Sequence, residues 1–256
     1  MSGVVFSSPP PLDIPGLTPR LFGFHKELVE HVLHQLQEMR DSHGVTGPRI
    51  LDVGSGSGCI IISLLSCLPS ARGVAADIAQ HAVDLTRRNA AGQGVSDRLR
   101  VEHGDVWDIV KSGAQPPHVK SGAQPPQART GAQSDAALAP SEVEALGLFD
   151  VLVSNPPYIP SSQVAELAPE VLQHEDHGAL DGGDDGLVVV RQLLAAVSAQ
   201  GHPQPLLRPG GRLWMEVDES HPAHMEEVVA EYPRLRLESC HSDFAGKPRF
   251  VCVSRV

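Results

Sequence analysis

Four residues at the end of an apolar run combine groups that suit a flat, polar, nitrogen-bearing target: Asn155-Pro156-Pro157-Tyr158. The run before them, Phe-Asp-Val-Leu-Val-Ser (149–154), has the composition of a buried strand. A Pro-Pro pair has a fixed φ and no backbone N–H, so it must end that strand. At the carboxyl end of a strand, where open α/β sheets place their ligands, it would present an amide, unpaired carbonyls and an aromatic ring. Asn-Pro is also a common turn dipeptide, so the tetrapeptide alone leaves a simple turn equally open.

A glycine-rich turn follows an earlier apolar run, in Ile-Leu-Asp-Val-Gly-Ser-Gly-Ser-Gly (50–58). Glycines let the backbone approach a ligand closely. The spacing is GxGxG with an acidic residue before it, and a carboxylate there would repel phosphate but attract an ammonium or sulfonium group. This pattern favours S-adenosylmethionine over a dinucleotide. The candidate cofactor contacts in this segment are Asp52, Gly54, Ser55, Gly56 and Gly58.

Acidic residues also follow the next two predicted strands. Asp77 ends the second strand, where it can accept hydrogen bonds from both hydroxyls of a ribose. Asp105 follows the third strand, where it would accept from an adenine amino group, with Val106 against the ring. Each acidic residue taken singly is equally a helix cap or a turn residue. Acidic residues at three successive strand ends favour a cofactor site, and Asn155 at the fourth strand end would border both cofactor and substrate.

The elements that position these residues alternate between strand and helix. Apolar periodicity predicts helices at 27–39, 58–68, 79–91, 186–199 and 223–231. Strands are predicted at 49–53, 73–77, 99–103, 149–154, 211–217, 234–240 and 249–256. Regular βαβ alternation implies a mostly parallel sheet with right-handed crossovers. The last two strands are joined by a connection too short for a crossover, so the last strand should be antiparallel.

Two parts of the chain do not read as packed structure. Residues 1–23 are predicted to be an extended or disordered lead, followed by one domain over 24–256. Residues 111–146 are predicted to be a low-complexity insertion. Lys-Ser-Gly-Ala-Gln at 111 and 120 and its variant Arg-Thr-Gly-Ala-Gln at 129 recur every nine residues, with almost no apolar positions to stack. A basic docking arm is the alternative interpretation of that insertion.

Composition narrows the function classes. The 256 residues carry a net charge of −11, which argues against a surface for wrapping nucleic acid and suits a basic partner, although solubility alone would explain it. The four cysteines form no CxxC pair and predict a reduced, intracellular protein, and the histidines show no convincing metal-ligand spacing. No apolar run approaches the roughly 20 residues of a membrane span, and the start resembles neither a signal nor a transit peptide.

Together the motifs resemble class I methyltransferases that act on planar nitrogen. The flanking segments look like the HemK/PrmC family of protein-(glutamine-N5) methyltransferases, in its organellar eukaryotic branch. The segments that carry this resemblance are Leu-Asp-Val-Gly-Ser-Gly-Ser-Gly (51–58), Val-Ser-Asn-Pro-Pro-Tyr-Ile-Pro (153–160), Leu-Ala-Pro-Glu-Val (167–171), Ala-Leu-Asp-Gly-Gly-Asp-Asp-Gly-Leu (179–187) and Asp-Phe-Ala-Gly-Lys-Pro-Arg-Phe (243–250).

The resemblance implies a Rossmann-like fold. It also implies that S-adenosylmethionine is the methyl donor, that no metal takes part, and that the substrate is the glutamine in the Gly-Gly-Gln motif of a peptide chain release factor. It also implies a mitochondrial location, with the cytoplasm as alternative. The oxygen of Asn155 and the carbonyl of Pro156 would accept the two hydrogens of the substrate amide. Tyr158 would flank its face, and Pro157 would line the same pocket.

The chain departs from the family pattern in one motif. Where the family carries Pro-Arg-Pro-Glu-Thr-Glu, this chain has Pro-Arg (19–20) followed by Leu-Phe-Gly-Phe-His-Lys (21–26). We also expect no N-terminal helical domain of the kind that grips the release factor. Two alternatives therefore stay open: an adenine-N6 nucleic-acid methyltransferase, since Asn-Pro-Pro-Tyr occurs there too, and a catalytically impaired cofactor-binding homologue or truncated isoform.

Overall fold

A seven-stranded sheet forms the centre of the computed structural model, which describes residues 25–105, 149–167, 177–200 and 205–256. The strands are β1 Arg49–Val53, β2 Arg72–Asp77, β3 Leu99–His103, β4 Phe149–Ser154, β5 Leu207–Glu216, β6 Leu235–Ser242 and β7 Pro248–Arg255. Their order across the sheet is β3-β2-β1-β4-β5-β7-β6. Strand β7 is antiparallel to both of its neighbours, and the other pairs are parallel. The prediction of a mostly parallel seven-stranded sheet with an antiparallel last strand is confirmed.

Helices cover both faces of this sheet. They are α1 Lys26–His43, α2 Cys59–Cys67, α3 Gln80–Gly92, α4 Ser161–Val164, α5 Val188–Ser198 and α6 Met225–Ala230. Two single 3₁₀ turns, His177–Ala179 and His221–Ala223, also occur. Helix α4 and these turns were not predicted because each is too short to show a helical period.

In helix α1 the sequence determines both the buried face of the helix and the residue at which it ends. Its apolar residues recur three and four positions apart and are buried: Leu28, Val29, Val32, Leu33, Leu36 and Met39. Gly44 ends the helix in a left-handed conformation at φ 67°, and its N–H donates to the Arg40 carbonyl over 3.0 Å. A residue with a side chain would be strained there, so glycine is the natural stop signal.

Two hydrophobic cores lie on the two faces of the sheet. One packs α1 and α2 against the residues of the central strands that include Ile50 and Val153. The other packs α5 and α6 against residues that include Leu51 and Leu152. Successive strand residues thus enter opposite cores, and all six residues of β4 are buried, as expected for a central parallel strand.

Several predictions fall outside the described residues. These are the lead at 1–23, the insertion at 111–146 and the placement of Val106. They stay predictions. Among the helices of the described ranges, none is long and apolar enough to cross a membrane.

Candidate active site at the carboxyl edge of the sheet

The strand ends bring the predicted site residues to one edge of the sheet. Val53, the last residue of β1, pairs with Ala76 on one side and Ser154 on the other. The Ser154 hydroxyl donates to the Val53 carbonyl over 2.7 Å, which ties the two strand ends together. Strands β1 and β4 are also where the chain order reverses, the place at which open α/β sheets bind ligands.

The glycine-rich loop leaves open space above the end of β1. Gly54, Gly56 and Gly58 all have positive φ, at 70°, 56° and 76°. A Cβ at Gly54 or Gly56 would meet no atom within 4 Å, whereas one at Gly58 would lie 2.8 Å from Thr86 Cγ2. Gly58 is therefore needed for packing against α3, while the first two glycines leave open space beside their backbone.

Helix α3 holds this loop in shape through two side chains. The Thr86 hydroxyl donates to the Gly56 carbonyl over 3.0 Å, and the Asn89 amide donates to the Ser57 carbonyl over 2.8 Å. The Ser55 hydroxyl lies 3.5 Å from that of Thr86. Sequence reasoning missed Thr86 and Asn89, because nothing local to α3 shows that the helix faces the loop.

Asp77 supports the loop as well as facing the site. Its Oδ2 accepts the Gly56 N–H over 2.8 Å, and its Oδ1 accepts the Ala79 N–H over 2.9 Å. A carboxylate has about four lone-pair sites, so the half-buried side chain keeps capacity for ribose hydroxyls. At the neighbouring strand end, the Gly104 N–H donates to the Asp77 carbonyl over 2.9 Å, which brings Asp105 to the same edge.

Asp52 is a buried carboxylate that lacks a full set of partners. Its side chain is 0% exposed, its Oδ2 accepts the Ile61 N–H over 3.3 Å, and its Oδ1 has no hydrogen bond from any described residue. Burial raises the pKa of Asp52 to about 7, against smaller lowering effects from the Ile61 bond and the charge of His25. A ligand cation beside this carboxylate would offset the burial and favour its ionised form.

Asn155 presents a second unpartnered oxygen at the same edge. Its Oδ1 is fully buried, with no donor among the described residues. Buried side-chain oxygens are nearly always hydrogen-bonded, so this one marks a place for an incoming donor. The adjoining Pro156 is buried, and Tyr158 is half-buried with its hydroxyl hydrogen-bonded by Arg249. Burial raises the pKa of Tyr158, so the phenol is neutral.

A second loop, residues 180–186, fixes the backbone that follows Pro157. The Ile159 N–H donates to the Leu180 carbonyl over 3.1 Å, and the Gly182 N–H donates back to the Ile159 carbonyl over 2.8 Å. A Cβ on Gly186 would lie 2.3 Å from the Tyr158 carbonyl oxygen. The glycines of this loop let two backbones touch, which is a physical reason for a motif to which sequence reasoning gave no role.

Gly186→Ala is expected to destabilise the fold by about 2–5 kcal/mol, because Ala is strained at a φ of 73° and its methyl would collide with the Tyr158 carbonyl. Gly210→Ala is the matched control, since Gly210 has a φ of 75° but nothing within 4 Å of its Cβ. The control is expected to lose only about 1–2 kcal/mol. Denaturant unfolding of both variants measures the difference, and equal losses would show that contact with the Tyr158 backbone contributes nothing.

The start of α1 closes one side of the site. His25 Nδ1 lies 3.1 Å from Glu216 Oε2 at the end of β5, and Glu27 Oε1 accepts the Phe244 N–H over 3.0 Å from the β6–β7 turn. Of the altered segment 20–26, the structure describes His25 and Lys26. The departure from the family pattern thus places an imidazole next to the strand ends.

The chain is similar in sequence to known methyltransferases. A family model described as "Methyltransferase domain" matches residues 50–119. The human MTRF1L release factor glutamine methyltransferase is 33% identical over 233 residues, which cover 90% of this chain and 59% of that protein. The release factor glutamine methyltransferase of Rhodospirillum rubrum is 40% identical over 209 residues, covering 82% and 51%.

A solved structure supports the fold independently. A Pyrococcus horikoshii protein provisionally named an RNA methyltransferase superposes with a TM-score of 0.51 at 13% identity, covering 94% of this chain and 89% of that one. The fold is that of the class I S-adenosylmethionine-dependent methyltransferases. In sequence the chain is similar to release factor glutamine methyltransferases, and it spans 51–59% of the length of the two relatives above.

Proposed function

We propose that this chain transfers a methyl group from S-adenosylmethionine to the side-chain amide nitrogen of the glutamine in the Gly-Gly-Gln motif of a peptide chain release factor. The observation that carries the proposal is the buried, unpartnered Oδ1 of Asn155, set beside a glycine loop and an unpaired buried carboxylate. The relatives support it by name, since they are release factor glutamine methyltransferases. These relatives do not favour the nucleic-acid alternative.

The residues at the strand ends fit the methyl donor. The open cradle at Gly54 and Gly56 suits a close backbone contact with the methionine part, and the free Asp52 oxygen suits its cationic groups. We infer that Asp77 holds the ribose and that Asp105 with Val106 holds the adenine. Ile78, 66% exposed directly after Asp77, adds an apolar surface for that ring, which sequence reasoning did not identify. When bound, the donor supplies an electrophilic methyl on a sulfonium.

We call Asn155 and Pro156 the amide clamp, and most of the chemistry that we assign to the protein lies there. An amide nitrogen is a poor nucleophile, because its lone pair is delocalised into the carbonyl. Asn155 Oδ1 and the Pro156 carbonyl accept its two hydrogens, which turns the nitrogen towards the methyl and stabilises the positive charge that develops there. Tyr158, fixed by Arg249, covers the flat face of the substrate. Alignment of this kind supplies ~7–11 kcal/mol.

Asp77→Ala is expected to weaken cofactor binding by about 1.5–3 kcal/mol, because the ribose hydroxyls lose a charged acceptor. Since Asp77 also accepts the Gly56 N–H, part of the loss reflects a looser loop. Calorimetric titration with S-adenosylhomocysteine measures it. Asp84→Ala, which removes an exposed carboxylate from α3, is the control. If the two variants bind the cofactor with equal affinity, Asp77 does not contribute to the cofactor site.

Two assays separate the open functions. Calorimetry with the cofactor establishes binding, and labelled methyl transfer is then measured to a release factor and to DNA. Transfer to the release factor supports the proposal. Transfer to DNA instead supports a nucleic-acid enzyme, and binding without any transfer supports the impaired homologue. A mitochondrial location is a further inference from the resemblance to the organellar branch, tested by cell fractionation.

A further inference from the structure

A cavity of about 570 Å³ lies beside the clamp and is not used by the proposed reaction. One wall is the chain that leaves the clamp, Tyr158, Ile159 and Pro160. The opposite wall comes from the start of α5, the 3₁₀ turn His221–Ala223 and α6. Tyr158 belongs to both places, so the cavity and the candidate substrate site adjoin.

The cavity is strongly acidic. Four carboxylates line it: Asp185, Asp218, Glu227 and Glu231. Asp185 is paired with Arg191 at 2.7 Å, the one arginine in the lining. In the described ranges, Glu227 and Glu231 have no ion-pair partner. The lining therefore holds more negative than positive charge.

Asp218 stays ionised in this setting. Burial alone would raise its pKa, but hydrogen bonds from the Ser220 N–H at 3.0 Å and the Ser220 hydroxyl at 2.7 Å lower it overall. The charge of Arg249 also lowers the pKa of Asp218. Glu227 and Glu231 are thus the two carboxylates of the lining on which no described arginine acts as an ion-pair partner.

Among the described residues, His221 adds an unpartnered buried nitrogen to the lining. It lines the cavity, it is 6% exposed, and its Nδ1 has no hydrogen-bond partner within the described ranges. Its Cε1 and Nε2 lie against Gly186, 3.1 Å from where a Cβ would be, so the ring has little room to turn. Burial lowers the pKa of His221, so the ring is neutral near pH 7 and adds no positive charge to the lining.

The chemistry of the lining selects an organic cation. No group of three His, Cys, Asp or Glu side chains among the described residues is arranged to hold a metal ion. A guanidinium or ammonium group carries several N–H donors, which match separated carboxylates and a free imidazole nitrogen. Lysine and arginine carry such a group at the end of a long flexible stem.

We propose that this cavity binds a lysine or arginine side chain of the protein substrate, close in sequence to the glutamine that the clamp holds. This proposal rests on the proposed function, because it takes the occupant of the clamp to be a peptide. It also gives part of the negative charge of the chain a specific role, which is to bind a basic side chain of the partner. The cavity then selects among glutamine-bearing segments, while the clamp performs the chemistry.

The first test removes the unpaired charge. Glu227→Gln/Glu231→Gln is expected to raise the KM for the release factor about tenfold at low salt, with kcat changed less than about twofold. Glu226→Gln/Asp97→Asn is the matched control, because it removes two exposed charges outside the cavity, one of them also on α6. A KM no higher than that of the control would overturn the proposal.

The second test needs no turnover. A labelled Gly-Gly-Gln peptide with a nearby arginine is compared, by fluorescence anisotropy, with the same peptide carrying citrulline, a neutral mimic of arginine. The parent chain is expected to bind the arginine peptide about tenfold more tightly, and the double variant to lose that preference. Equal binding by the parent overturns the cavity proposal. A preference for arginine without methylation of any release factor supports the cavity and contradicts the proposed function.

Discussion

Asn155→Ala is expected to keep cofactor binding but to lose about 100- to 1000-fold in turnover, equivalent to about 2.7–4 kcal/mol of transition-state stabilisation. The reason is that its buried oxygen has no partner in the described structure and is free to accept a substrate N–H. Loss of one of two acceptors leaves the amide nitrogen poorly aligned with the methyl. Single-turnover methyl transfer at saturating cofactor measures the effect.

Gln192→Ala is a suitable control, because it removes an exposed side-chain amide from α5 that is not among the candidate site residues. It is expected to behave as the parent. Calorimetry with the cofactor should give similar affinities for all three proteins. An Asn155→Ala chain that methylates as fast as the parent would show that the clamp is not part of the reaction.

Asp52→Asn is expected to stabilise the cofactor-free chain at alkaline pH while weakening cofactor binding. The folded pKa of Asp52 is about 7, above its ordinary value near 4, so the folded state holds a proton that the unfolded state has lost. Stability is therefore greatest at the acidic end and falls as pH rises from about 4 to 7. The penalty above pH 7 is at most about 4 kcal/mol, since each pKa unit corresponds to about 1.4 kcal/mol.

Denaturant unfolding at pH 5, 6.5 and 8 measures this linkage, with Asp84→Asn as the control for loss of an exposed carboxylate. The advantage of Asp52→Asn over the parent should grow with pH and then level off. Cofactor affinity of the parent should rise over the same range, because a bound cation favours the ionised carboxylate. A difference between variant and parent that does not change with pH would contradict the assigned role of Asp52.

The sequence predicted the sheet and its edge well because the signals there are local. Alternating apolar strands and helices define the parallel part, and the short connection before β7 defines the antiparallel strand. Strand ends in a parallel sheet meet at one edge, so Asp52, Asp77 and Asn155 were expected together, and the register places them so.

The supporting contacts could not be predicted because they join residues far apart in the chain. Thr86 and Asn89 contact a loop about 30 residues earlier, and their own helix gives no sign of it. The hydrogen bond by which Asp77 supports the glycine-rich loop also appears only in three dimensions. Gly182 and Gly186 belong to a recognisable motif, but only the packing shows that they contact the Tyr158 backbone.

The altered segment at 20–26 lies next to the candidate site, since His25 pairs with Glu216 beside the strand ends. Glu216 follows Met215, which pairs with Ser154 across β4 and β5. Glu216 and Asn155 are therefore neighbours at the same edge. The hypothesis of a catalytically impaired homologue thus rests on a segment whose His25 contacts Glu216, the neighbour of Asn155.

The most direct test of the amide clamp is to locate the transferred methyl group. The chain is incubated with S-adenosylmethionine and a peptide chain release factor, and the product is mapped by peptide mass spectrometry. We expect the methyl on the side-chain amide of the Gly-Gly-Gln glutamine, and none on a release factor in which that glutamine is replaced by alanine. A methyl on any other residue, or an unmodified release factor despite bound cofactor, would contradict glutamine methylation by Asn155 and its neighbours.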